Sequence, residues 1–337
     1  MRKIIAALIL FLAIAFIYFS FSELENIGTT LHHSDLRFLG AALLIEIIWL
    51  LNNAVTLRSI YRLVGIEERK AYMFLVISAT NFINTIAPSA GIGGMAILWD
   101  EAKKRNHSAG KVTFVGTLYI LMDYAAFICV LALGWIVLIR RNNLSIAEVI
   151  ASIVLLLIAF AFASVVYLGY RSQERLGRVL AWMARTVNRI LRPFMRRDYL
   201  QVGRAYVFAE EFAEGIASVK GRNRQMLWPF LFSLNNKALL VCILALSFLS
   251  FTTPFSVGTI VAGFSIGHLI TIVSPTPAGL GFVEGALPLT LNSLGVPWEA
   301  AILITLAYRA LTFWFFMAVG AVAFRLLQRE GLKESGR

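Results

Sequence analysis

Charge is what this chain most lacks. Asp, Glu, Lys and Arg make up 15% of its 337 residues, against 59% apolar, where a soluble domain carries about 25% charged residues. There are two cysteines, Cys129 and Cys242, each inside an apolar run, so no disulfide framework is expected. Of the four histidines, His32 and His33 lie near Asp35, but no third ligand has metal-site spacing. No G-x-x-x-x-G-K-[ST] occurs, so a nucleotide-driven machine lacks its phosphate loop. No paired carboxylates or activated nucleophile stand at useful spacing. No cofactor and no metal are expected.

What is present is apolar length. Predominantly apolar runs cover 4–22, 38–57, 112–139, 149–170 and 238–283, each long enough to cross a bilayer. No small-residue cleavage site follows 1–22, so that stretch reads as a retained first helix. The net charge of +12 brings no nucleic-acid motif and no aromatic interleaving, so no nucleic-acid partner is expected.

One motif occurs twice. Pro88-Ser89-Ala90-Gly91-Ile92-Gly93 returns as Pro275-Thr276-Pro277-Ala278-Gly279-Leu280-Gly281, and both copies interrupt apolar stretches. Paired Pro/Gly interruptions mark internally repeated transporters, because a broken helix in lipid frees backbone groups that something polar must satisfy. The arms 71–87 and 94–102 are too short for two crossings, which predicts a re-entrant hairpin. The stretch 255–298 has longer arms and reads either as a second hairpin or as two full spans.

Lys and Arg set the orientation. With both termini and 171–226 in the cytoplasm, 26 of them lie inside and three, Arg37, Arg140 and Arg141, lie outside. The expected fold is an all-α polytopic membrane protein: an inverted-topology repeat with two oppositely oriented re-entrant helical hairpins. Residues 1–139 form the first repeat and 140–337 the second, with a cytoplasmic basic amphipathic insertion at 171–226. Leu51-Asn52-Asn53-Ala54 pairs with Leu234-Asn235-Asn236-Lys237-Ala238 in this register. In the insertion, Leu176, Val179, Leu180, Met183 and Val187 recur at helical spacing among Arg175, Arg178, Arg185 and Arg189, as in a helix lying on an anionic leaflet.

Polar residues inside the spans are the candidate site. Asp123 lies 12 residues from Lys111, roughly 18 Å, and Arg309 lies 10 from Glu299, roughly 15 Å. Both depths fall near the middle of a core about 30 Å thick. Their matching repeat positions predict a central Asp123–Arg309 ion pair, serving either to bind and gate or to fix helix packing. Asn235, Asn236 and Lys237 form one polar cluster, and Asn52 and Asn53 another. Lys237 is too deep to snorkel, and Glu46 and Glu284 are candidate partners. Glu284 follows the second break, where freed amides could hold an anion. His268, alone on an apolar helix, reads as a satisfied core residue. The expected substrate path therefore comprises Pro88, Gly91 and Gly93, then Asp123, Asn235, Asn236 and Lys237, then Pro275, Pro277, Gly279, Gly281, Glu284 and Arg309.

The run Pro275 to Gly285 (PTPAGLGFVEG), then Leu294-Gly295-Val296-Pro297, Ala300-Ala301 and Tyr308-Arg309-Ala310-Leu311-Thr312-Phe313-Trp314, resembles the signature of the lysylphosphatidylglycerol synthase transmembrane-region family. This is the flippase-like membrane part of the multiple peptide resistance factor. The resemblance runs over nearly the whole chain and is strongest at 271–325. It assigns Pro275, Gly279, Gly281, Glu284 and Arg309 to family motif positions. Where family members often carry an acidic-Arg pair, this chain has Asp123-Tyr124. The resemblance implies movement of a phospholipid or lipid-linked sugar between leaflets of the cytoplasmic membrane; with no phosphate loop in the sequence, the drive is expected from an ion gradient or from the lipid gradient itself. The partners it implies are membrane lipids, anionic or polyprenyl-linked, with a cytoplasmic synthase or glycosyltransferase as a further candidate. The alternative is a membrane-embedded enzyme or accessory subunit acting on lipid-linked substrates.

Overall fold

The structure, a computed structural model, describes residues 34–86, 93–195 and 202–335. The helix expected at 4–22, and Pro88 and Gly91 of the first break, lie outside the described residues. The described residues fold as helices, five of them long and apolar enough to cross a membrane.

The first is α1 (Leu36–Leu63), with the Asp35 carboxylate accepting from the Arg37 amide at 2.9 Å as its N-cap. Its buried positions Leu39, Ala42, Glu46, Leu50, Asn53 and Leu57 advance by three or four residues, so one face is turned inward. Beyond it come α2 (Lys70–Ile86) and α3 (Met95–Lys104), the two arms of a hairpin. The open end of that hairpin is tied by Arg105 and His107, each 3.0 Å from the Glu68 carboxylate, and by Tyr72 donating to Glu101 at 2.8 Å. Near its tip the Gly94 amide donates to Asn84 Oδ1 at 2.6 Å. A Cβ on Gly94 would come within 2.7 Å of the Thr80 carbonyl, so the close return of the chain requires glycine there.

The central helix α4 (Ala109–Arg140) has 32 residues, a length of about 48 Å. A capping box of Ser145 and Glu148 starts α5 (Ile146–Arg171). Ile150, Ile153, Leu156, Leu157 and Phe160 of α5 stay exposed, as expected of a helix facing lipid. One extended residue, Ser172, then turns the chain into α6 (Gln173–Met195), followed by α7 (Val202–Val219). The insertion is not a free appendage. On α7, Glu211 accepts from the Gly110 amide, Glu214 pairs with Lys111 at 2.9 Å, and Phe212 meets Phe114 edge-on, so α7 is docked on the start of α4.

Next is α8 (Asn223–Ser250), antiparallel to α1: Arg222 donates to the Leu63 carbonyl at one end, and the Asp35 amide donates to the Ser250 carbonyl at the other. The second hairpin consists of α9 (Val257–Val273), a 3-10 turn at Pro277–Gly279, and α10 (Phe282–Ser293). Its open end is held by Arg141, which donates to Ser256 Oγ and to the Leu294 carbonyl, and by Asn143, which donates to the Ser293 carbonyl. The first hairpin thus opens beside the start of α4 and the second beside its end. The last span begins as α11 (Trp298–Arg309), is π-wound over Ala310–Phe315, and continues as α12 (Phe316–Ser335).

This arrangement makes a topological prediction. In right-side-out and inverted vesicles, single cysteines placed near Lys104 and near Leu294 should react with an impermeant thiol reagent from opposite sides. Reaction from the same side would contradict hairpins that open to opposite ends of α4.

Candidate functional site

The interior of the bundle is not uniformly apolar. A cavity of ≈ 260 Å³ lies between α1, α2, α4, α8, the second break and the π-wound segment. At about 30 Å³ per water it has room for roughly eight waters. That is below the roughly 300–1,000 Å³ of pockets that enclose a drug-sized ligand.

One wall is a charged triad. Lys237 on α8 reaches Asp123 on α4 with its Nζ 2.7 Å from Oδ1 and 2.9 Å from Oδ2. The same Nζ lies 3.1 Å from His268 Nε2 on α9. An ammonium only donates, so Nε2 must accept, which places the imidazole proton on Nδ1 and leaves the ring neutral. The His268 ring is held between Phe127, edge-on, and Phe264, stacked. The Lys237 side chain is 4% exposed, whereas that of Asp123 is 24% exposed into the cavity.

Beside the triad an amide network joins three helices. Asn52 donates to Asn236 Oδ1 at 2.6 Å and to the Phe232 carbonyl at 2.8 Å. The Asn236 amide donates to Asn53 Oδ1 at 3.4 Å, and Tyr119 OH donates to the same oxygen at 2.6 Å. The two Asn-Asn motifs matched in the sequence therefore meet in space. Asn235, one residue away, is exposed and takes no part in this network.

The opposite wall is the second break. Ala278, Gly279 and Gly281 have φ of 46°, 73° and 82°, a left-handed backbone that glycine tolerates and alanine does not readily adopt. Thr276 Oγ1 donates to the Leu280 carbonyl at 2.9 Å, and the Gly281 amide donates to Glu284 Oε2 at 2.7 Å. The N-terminus of α10 is thus already capped by the carboxylate of Glu284. Arg309 closes the break from α11: its Nε bonds Glu284 Oε1, its Nη1 donates to the Ala278 carbonyl at 3.3 Å, and its guanidinium sits 4.3 Å from the centre of the Phe313 ring.

The expected Asp123–Arg309 pair is not formed. Asp123 is bound by Lys237, and Arg309 by Glu284, although Asp123 and Arg309 both line the one cavity. Counting residues along a helix gives depth; it does not give the direction in which a side chain leaves the helix, and here each group finds a nearer partner. Lys237 likewise takes neither of its expected partners, Glu46 or Glu284. Of the expected path residues, Gly93 belongs to the first hairpin's turn, Pro275 is exposed, Pro277 lies in the 3-10 turn, and Gly279 is buried against α9. His268, expected as core, is a cavity residue. Asn81, Asn84, Thr85 and Tyr119 also line the cavity without having been anticipated. Their signal was legible: Asn81, Asn84 and Thr85 repeat at three and four residues just before the first break, and Tyr119 stands four before Asp123.

An all-helical body with apolar spans, two broken hairpins and ion pairs at its centre defines a polytopic membrane protein with a polar interior site. The chain belongs to the family described as the lysylphosphatidylglycerol synthase TM region, whose model matches residues 3–320. It is similar to a UPF0104 membrane protein of Methanothermobacter thermautotrophicus, at 25% identity over 267 residues, covering 78% of this chain and 77% of that protein. A UPF0104 membrane protein of Methanocaldococcus jannaschii matches at 33% identity over 66 residues, which is 20% of this chain and 28% of that protein.

The triad yields an asymmetric stability prediction. Asp123→Leu leaves the more deeply buried ammonium without its carboxylate and should cost about 3–5 kcal/mol. Lys237→Met leaves a carboxylate that the cavity can hydrate, so it should cost less. The double variant should unfold nearer the parent than Asp123→Leu does, by thermal melting in detergent; strictly additive losses would mean that the two side chains do not interact.

Proposed function

We propose that this protein moves a lipid headgroup between the two leaflets through its central cavity. The observation that carries the reading is a polar cavity, walled by a Lys–Asp–His triad and an Arg–Glu pair, inside a body whose outer helices suit lipid. Charged groups at such depth are costly, and they are found where a polar species must pass. The size of the cavity supports headgroup passage with the acyl chains left in the bilayer, because ≈ 260 Å³ is below the roughly 300–1,000 Å³ that encloses a drug-sized ligand.

The substrate class is a phospholipid or a lipid-linked sugar, anionic or polyprenyl-linked. Arg309 is the natural phosphate contact: its planar fork bonds two oxygens at once, and it keeps its charge. Lys237 offers a second cation on the opposite wall. Exchange of either cation between its carboxylate and a headgroup would open and close the path. The same reading takes the chain as two inverted copies, 1–139 and 140–337, in the cytoplasmic membrane with both termini inside. The antiparallel α1 and α8 and the oppositely opening hairpins support that symmetry, and the 26-to-3 distribution of Lys and Arg supports the orientation. The α6 arginines would then rest on the anionic inner leaflet. The family description, a region of a synthase that makes an aminoacylated phospholipid, agrees with a lipid substrate.

Reconstituted in liposomes, the protein should exchange labelled phospholipid or polyprenyl-linked lipid between leaflets with no covalent change. Arg309→Lys should slow that exchange at least tenfold while the protein stays folded, because a point charge replaces a bidentate fork. Covalent product would favour an enzyme. Unaltered exchange in folded Arg309→Lys and Glu284→Gln proteins would contradict the path.

A further inference from the structure

Glu46 stands out among the described residues as a buried carboxylate without a hydrogen-bond partner. It sits on α1, ten residues or roughly 15 Å from the start of that helix, and has no solvent exposure. Among the described residues, neither of its carboxylate oxygens has a hydrogen-bond partner. It shares the inward face of α1 with Trp49 and Asn53, three and seven residues on, and both of those line the cavity.

Among the described residues, the ionisable groups on the helices packed against α1 at this depth are few. On α8 there is Lys237, bonded to Asp123 and His268. On α4 there are Asp123, bonded to Lys237, and Tyr119, whose hydroxyl donates to Asn53. On α11 there are Tyr308 and Arg309, the latter bonded to Glu284. Tyr72, Glu101 and Lys104 of the first hairpin are engaged with one another at its open end. None of these groups donates a hydrogen bond to either Glu46 oxygen. An ionised carboxylate with neither partner nor water is far costlier than the neutral acid.

We propose that Glu46 is a proton-binding site and that its proton couples to movement of the headgroup. In the conformation seen here the carboxyl carries the proton. When a headgroup enters the cavity and α1 turns, Glu46 comes to the cavity wall that Trp49 and Asn53 now form; its O–H bond then breaks and the proton passes to cavity water, and the reverse turn reloads it. This rests on the transport reading above for what the proton is coupled to, and on the burial of Glu46 alone for the proton itself.

The test has two arms. In nanodiscs at neutral pH, infrared spectra of the folded protein should show a neutral carboxylic-acid carbonyl band that disappears in Glu46→Gln and moves in Glu46→Asp, which keeps the acid should the amide fold poorly. Absence of the band in the parent, or a band unchanged in Glu46→Gln, would overturn the proton site. In vesicles holding labelled phosphatidylglycerol, an imposed pH gradient should change the exchange rate severalfold for the parent and leave Glu46→Gln unaffected. Exchange that ignores the gradient in the parent would overturn the coupling. If the band behaves as stated and no vesicle exchanges lipid, it is the transport reading that fails and the proton site that stands.

Discussion

An ammonium group buried in an apolar helical body is the constraint on which much else depends. Lys237 is 4% exposed and lies mid-helix in α8, fourteen residues after Asn223 and thirteen before Ser250, so its charge must be met where it lies. Asp123 and His268 meet it, and in doing so they fix the rotation of α4 and α9 against α8. The adjacent Asn52–Asn236–Asn53–Tyr119 network does the same for α1. Apolar packing alone would leave such helices free to turn, since lipid and leucine are alike in polarity. The polar groups therefore set which faces meet, and the faces that meet enclose the cavity.

The second break works by the same logic. Left-handed backbone at Ala278, Gly279 and Gly281 frees carbonyls and amides that lipid cannot satisfy. The chain satisfies them locally, through Thr276, Glu284 and Arg309. Arg309 thus holds the break together and also faces the cavity, so a ligand that competes for its guanidinium would loosen the hairpin as it binds. Under the proposed function, a residue with those two duties would link headgroup contact to conformational change through one ion pair.

Much of the fold was legible in the sequence. Among the described residues, apolar length located the spans, because a bilayer demands it, and the second Pro/Gly motif located a hairpin turn, because neither residue continues a helix. The Asn52-Asn53 and Asn235-Asn236 match picked out two helices that lie together. What was not legible was pairing. Depth placed Asp123 and Arg309 at one level, and they do line one cavity, but the angular position of each side chain depends on how whole helices rotate and cross. The π-wound turn after Arg309 adds to that angle and has no composition of its own. His268 was taken for core because a lone histidine carries no motif; its partner is 31 residues away on another helix. The insertion was read as a surface helix from its arginines, while the docking of α7 on α4 rests on Glu211, Glu214 and Phe212, whose partners only the fold supplies.

The central claim is that a lipid headgroup enters the cavity between the triad and the second break. Its most direct test is a phospholipid carrying a photoreactive group on the headgroup, activated in nanodiscs with the parent protein and mapped by mass spectrometry. Adducts should fall on cavity residues such as Asn84, Thr85, Thr276 and Tyr308. Adducts confined to the outward face of α5, around Ile153, Leu157 and Phe160, would contradict the claim.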